Sequence, residues 1–226
     1  MIKVSQIDSA VEIAKLSSID VAGFAVGRSS SANALDVDQC RSLCSGLDCV
    51  YAVYPIGGFD DIGFCRELLE ELKPRYLEFT VVDPEKIERS AAQLRVLSAL
   101  DVGKIANGLF LLRDDLSLLD RVSHMDALVH AGVELFQIEV ESLVDPEARI
   151  ARRSHARIAQ FLYQYPALIG DSFALGVGLP DVNQIGYNLT LANRSARPYD
   201  LSQQHYPLSS AIRIVKGLRA APVRRA

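Results

Sequence analysis

The sequence predicts an α/β chain folded as a (β/α)8 barrel, and three observations carry that prediction. Apolar, β-rich runs alternate with helical stretches from one end of the chain to the other. Eight such units fit into 226 residues without a linker rich in glycine, proline or serine. Several of the runs are almost continuously apolar, as befits parallel strands covered on both faces. Regular alternation implies right-handed crossovers, and eight units favour closure over an open, doubly wound sheet. No GxGxxG fingerprint follows the first strand, which weighs further against an open dinucleotide-binding sheet. Residues 1–226 are expected to form a single barrel domain.

The elements follow in order. Residues 2–4 read as strand one, and Asp8 or Ser9 can cap a helix through Val11, Ile13, Ala14 and Leu16. Strand two spans 21–26, and after the polar loop 27–33 Asp36 can cap a helix through Leu43. Strand three spans 49–54, closed by Pro55 and Gly57-Gly58, and its helix from about 60 to 72 stops at Lys73-Pro74. Strand four is 76–80, with Asp83-Pro84 opening the next helix. Strand five is 104–112 with a helix over 116–132, and strand six is 135–140 with a helix from Asp145-Pro146 to about Tyr163. Strand seven is placed at 173–177, strand eight at 199–201, and the closing helix at 208–218.

Composition narrows the function. Hydrophobic residues make up 49% and charged residues 23%, the balance of an ordinary folded domain. A net charge of −4 argues against a nucleic-acid partner or an anionic membrane surface, and Arg219, Arg224 and Arg225 read as a solvated tail. No run of 18 apolar residues and no leader pattern stands out, so a cytoplasmic chain acting on a small-molecule substrate is expected. Cys40, Cys44, Cys49 and Cys65 show no CxxC pair and no nearby histidine, so buried free thiols are expected, with no metal and no cofactor. His124, His130, His155 and His205 have no metal-ligand spacing.

In a barrel the active site lies at the C-terminal ends of the strands. That rule nominates Ser5 and Gln6, the 27–33 loop, Gly57 and Gly58, Asn107, Glu139 and Glu141, Gly176 and Gly178, and residues 202–204. Alternation puts Gln137, Glu139 and Glu141 on one face of strand six. A carboxyl group there has a raised pKa if desolvated and can act as a general acid. Gly176 and Gly178 permit a close backbone approach, and a helix start after them favours an anion. Arg28 has the planar fork that clasps a carboxylate.

In order and spacing this pattern resembles the phosphoribosylanthranilate isomerase family. Lys3-Val4-Ser5-Gln6 is similar to the family's opening Lys-Ile-Cys-Gly strand, and the 22–26 run and the helix start at Asp36-Val37-Asp38-Gln39 to its second strand and loop. The segment Gly176 to Val182 resembles its loop after strand seven, and Tyr199-Asp200-Leu201-Ser202 the segment after strand eight. The resemblance implies an Amadori rearrangement in tryptophan biosynthesis. It also implies Ser5 at the position of the general base, Glu139 at that of the general acid, and substrate contacts from Gly176, Gly178, Ser202 and Gln203. Four departures go against an authentic isomerase. Ser5 replaces a cysteine, and its hydroxyl is far too weak an acid to supply an equivalent base. Glu139 replaces an aspartate, moving the carboxyl group by about 1 Å. The arginine for the anthranilate carboxylate is missing near Ala32 or Asn33 unless Arg28 substitutes, and Gln203-Gln204 crowds the phosphate loop. A diverged enzyme acting on a phosphorylated or carboxylated metabolite by acid–base chemistry is therefore the leading expectation. An authentic isomerase and a non-catalytic binding paralogue are the alternatives.

Overall fold

Strand β1 (Ile2–Ser5) pairs in parallel with two strands, β2 (Val21–Val26) and β8 (Gly186–Leu191), and that double pairing closes the sheet. Between them run β3 (Val50–Pro55), β4 (Tyr76–Thr80), β5 (Gly103–Leu111), β6 (Val133–Val140) and β7 (Ala167–Asp171), each parallel to its neighbour. A two-residue strand β9 (His205–Tyr206) adds to β8. This computed structural model describes residues 1–30, 34–57, 61–112, 115–140, 152–171, 185–192 and 205–220. The expected (β/α)8 barrel is the observed fold.

Helices α1 (Ala10–Lys15), α2 (Val37–Cys44), α3 (Ile62–Leu72), α4 (Ile87–Ser98), α5 (Val122–His130) and α6 (Arg152–Gln164) follow the first six strands, and α7 (Leu208–Ala220) comes last. Three of these helices start at a side-chain cap. Ser9 accepts from the Glu12 N–H, Asp61 accepts from the Phe64 N–H, and Asp36 forms a reciprocal capping box with Gln39. Two helices begin later than the sequence suggests. Asp83 holds residues 83–86 in a turn, accepting from the N–H groups of Glu85 and Lys86, so α4 starts at Ile87 rather than at Pro84. A 3-10 turn over Ser117–Asp120 precedes α5, because Asp115 accepts from the Ser117 N–H.

The larger correction concerns the last two barrel strands. They are Ala167–Asp171 and Gly186–Leu191; the segments 173–177 and 199–201, where the sequence places them, fall outside the described residues. Pro166 ends the helix before β7, and Leu168 and Ile169 are fully buried. Strand β8 alternates, with Asn188 and Thr190 between Tyr187, Leu189 and Leu191.

Alternation along every strand separates two packing layers. Val4, Phe24, Val53, Phe79, Phe136 and Leu189 face the helices. Val21, Ala52, Tyr76, Ile105, Leu135 and Leu168 form one apolar layer across the lumen, near the strands' starts. No helix of the described residues is long and apolar enough to cross a membrane.

Candidate active site

Further along the strands the lumen turns polar, and Lys3 lies at its centre, wholly buried. Its Nζ is 2.5 Å from Ser5 Oγ, 2.9 Å from Gln137 Oε1 and Glu78 Oε2, and 3.2 Å from Asn188 Oδ1. Four oxygens drawn from β1, β4, β6 and β8 suit an ammonium, which has protons to give and no lone pair to offer. Taking the Lys3–Glu78 pair out of water is costly, and the three neutral acceptors offset part of that cost. The second Glu78 oxygen accepts from Asn107 Nδ2 at 2.9 Å.

Ser5 ends β1 and is 8% exposed. Its hydroxyl accepts from Lys3 and donates to Asn188 Oδ1 at 2.9 Å. With its proton committed to an amide oxygen and an ammonium beside it, the hydroxyl is an oriented dipole, and among the described residues no base is bonded to it. Gly23 on β2 makes room here, since a Cβ would come within 3.1 Å of the Ser5 Cα. The next residue, Gln6, is buried and holds φ at 68°, a left-handed conformation that costs a non-glycine residue roughly 1–2 kcal/mol.

Glu139, the penultimate residue of β6, is 5% exposed. It pairs in register with Gly170 of β7, and a Cβ on that glycine would overlap the Glu139 carboxyl oxygens. Glycine on β7 is thus what gives the longer carboxylate its place. Glu139 and Ser5 lie at the same end of the barrel, with Gln137 one inward step below Glu139 and bonded to Lys3. Across the lumen, Tyr54 Oη and Thr80 Oγ1 are 3.1 Å apart. Burial pushes the Tyr54 phenol up, the Thr80 bond opposes this, and the Glu78 charge adds to it, so the phenol keeps its proton.

Arg28 is not brought into this group. Its guanidinium donates to Asp61 at 2.5 and 3.0 Å and to Glu67 at 3.5 Å, stacks on Phe64 and is more than half exposed. Clasping a substrate carboxylate would require it to leave both acidic partners. Gly176, Gly178, Ser202 and Gln203 lie outside the described residues, as do Gly58 and Glu141.

Sequence reasoning gave no site role to Lys3, Glu78 or Asn188. The signal was present as a polar residue at alternate positions of apolar runs: Lys3 between Ile2 and Val4, Glu78 between Leu77 and Phe79, Asn188 between Tyr187 and Leu189.

Among the described residues no three His, Cys, Asp or Glu side chains are grouped to hold a metal ion. No disulfide joins the four cysteines. Cys40 and Cys65 are buried, whereas Cys44 and Cys49 are half-buried. Burial pushes the Cys65 thiol up to about 11, with the Asp61 charge adding, which suits a packing role better than a nucleophile.

Fold and site together define a closed parallel barrel whose lumen is apolar near the strands' starts and charged toward their C-terminal ends, the end at which barrel enzymes do their chemistry. No protein-family model and no curated protein sequence matches the chain. Solved structures do match it. A phosphoribosyl anthranilate isomerase from Thermococcus kodakaraensis aligns with a TM-score of 0.54 and 14% identity, over 97% of this chain and 99% of that one. The N-(5'-phosphoribosyl)anthranilate isomerase of Pyrococcus furiosus gives 0.58 and 11%, over 96% and 98%. A truncated 3-deoxy-D-arabino-heptulosonate 7-phosphate synthase from Thermotoga maritima gives 0.55 and 10%, over 97% and 84%. At such identities the likeness establishes the shared barrel, and two different enzyme names within it show that the barrel alone does not select a reaction.

Proposed function

We propose that this chain is a barrel enzyme that moves a proton on a small phosphorylated or carboxylated metabolite, with Glu139 as its acid–base group. The observation that carries the reading is the placement of Glu139. It is a nearly buried carboxyl at the C-terminal end of a barrel strand, given room by Gly170 and set at the same end as the polar Ser5 cluster. Such a group can take a proton from the carbon beside a carbonyl or imine and return it to the neighbouring carbon, which needs no oxidant and no metal. Ser5 orients the substrate or a water molecule, because its hydroxyl is held between Lys3 and Asn188. The isomerase-like barrel supports an aldose–ketose type of rearrangement. The serine in place of a thiol argues against phosphoribosylanthranilate itself as an efficient substrate.

The test uses phosphoribosylanthranilate and a panel of aldose and ketose phosphates in deuterated water, with carbon-bound hydrogen exchange followed by NMR. Wild-type protein is expected to exchange at least one member of the panel. Glu139→Gln keeps the size and removes the titratable proton, so exchange should fall by about 10²–10⁴-fold. Unchanged exchange in the glutamine variant removes Glu139 from the mechanism. A second reading, a non-catalytic binding barrel, is favoured by the closed set of hydrogen bonds around Lys3. It predicts no exchange with any member of the panel.

A further inference from the structure

Asn107 on β5 is 6% exposed and donates through Nδ2 to Glu78 Oε1 at 2.9 Å. A carboxylate oxygen only accepts, so this contact fixes which end of the amide faces it. The reverse orientation would set two acceptors against each other. Glu78 is in turn held by Lys3, so its position is fixed from the other side. Asn107 Oδ1 is therefore turned away from Glu78. It is a buried acceptor that receives no hydrogen bond among the described residues, an uncommon condition for a polar atom inside a protein.

The backbone sets the position of Asn107. Ala106 pairs with Phe136 and Leu109 with Ile138, so Asn107 and Gly108 together oppose the single residue Gln137. Gly108 supplies the φ of 77° that the bulge requires. Bulges of this kind re-aim side chains beside active sites. Asn107 stands one inward step beyond Ile105 of the apolar layer, beside Thr80 in register, and the Thr80 and Tyr54 hydroxyls already engage each other.

We propose that Asn107 is a specificity-determining residue whose Oδ1 accepts a hydrogen bond from a hydroxyl or amino group of the ligand in the barrel mouth. The inference rests on the reading that this mouth binds a small metabolite. It adds that the ligand presents a donor toward β5, because a carbonyl, ether or carboxylate oxygen there would meet an acceptor that cannot turn over. Lys3 and Glu78 act through Asn107 as positioning residues.

The test is an equilibrium measurement, independent of turnover. Ribitol 5-phosphate and its monodeoxy forms are titrated by calorimetry into wild type, Asn107→Ser and Asn107→Leu. In wild type, loss of one particular hydroxyl should weaken binding about tenfold, the worth of one hydrogen bond to a buried acceptor. Both variants should bind the parent and that deoxy form equally. A variant that weakens every probe by the same factor assigns Asn107 a structural role and overturns the proposal. So does a wild-type protein that binds no probe, or one for which no single hydroxyl matters, whatever the variants do. Loss of the Glu139 mechanism would leave these ratios untouched, so the two readings fail separately.

Discussion

At the level of Val21, Ala52, Tyr76, Ile105, Leu135 and Leu168 the lumen is apolar. Two residues further along the same six strands stand Gly23, Tyr54, Glu78, Asn107, Gln137 and Gly170. The two levels share a backbone scaffold and differ in what fills it. The lower one is held by close packing of side chains that are apolar apart from the Tyr76 hydroxyl. The upper one contains an ion pair, oriented amides and glycines that make room for neighbouring groups. The comparison teaches that this barrel concentrates its costly chemistry in one half of its interior and leaves the other half to hold the strands together.

The largest effect expected from breaking this division is at Lys3. Lys3→Met leaves Glu78 buried without its cation and should cost about 3–5 kcal/mol of stability. Adding Glu78→Gln to that variant should restore much of the loss, since the double variant buries no unpaired charge. Urea unfolding of the two single variants and the double variant measures the coupling, and simple additivity would show that the ion pair is not a unit.

Next comes the apolar level. Leu135→Ala should cost about 2–4 kcal/mol by leaving a cavity, and probe binding and hydrogen exchange at the mouth should stay as in wild type. A loss of probe binding of about tenfold or more would mean that the two levels are not separable.

The smallest effect is expected outside the lumen. Asp20 accepts from the Ile2 N–H at 2.6 Å and from Arg219 at 2.7 Å, joining the start of β1 to α7. Burial works to raise its carboxyl, but the Arg219 bond, the Ile2 N–H and the nearby positive charges outweigh it and hold the group below its ordinary 3.8. A depressed carboxyl stabilises the fold above its unfolded value and loses that contribution as the pH falls through its folded value. The pair is more than a third exposed, so Asp20→Asn should cost less than about 1 kcal/mol at neutral pH. Thermal melts between pH 7 and 2 should show the difference from wild type shrinking below about pH 4. A difference that persists at pH 2 would assign the effect to packing.

Strands β1 to β6 were legible because each is an apolar run bounded by turn residues, and the caps at Ser9 and Asp36 were legible because capping is local chemistry. The last two strands were not. Residues 167–171 and 173–177 are both short apolar runs, and a run of five gives no period by which to choose between them. Strand β8 failed for the opposite reason: its Asn188 and Thr190 broke the continuous apolar pattern expected of a buried parallel strand. Asn188 is itself part of the candidate site. Reading Lys3, Glu78 and Asn188 as inward-facing positions would have found the strand and the cluster together. Ser5 and Glu139 were legible only by position along their strands. The exposed pairing of Arg28 with Asp61 was not, since 33 residues separate the partners.

The closure of β1 on β8 also sets an order of events in folding. Lys3 meets Gln137 across 134 residues of chain and Asn188 across 185. Every earlier strand pair can form between neighbours in sequence, but the last seam joins the first strand to residues 187–190. Until that seam closes, Lys3 and Glu78 face water and the central cluster does not exist. Contacts of such long range are slow to form, because the entropy of joining distant segments must be overcome before they contribute. A nascent chain thus carries β1 with one edge unpaired until β8 has been made, and the central polar cluster forms only with the final stitch.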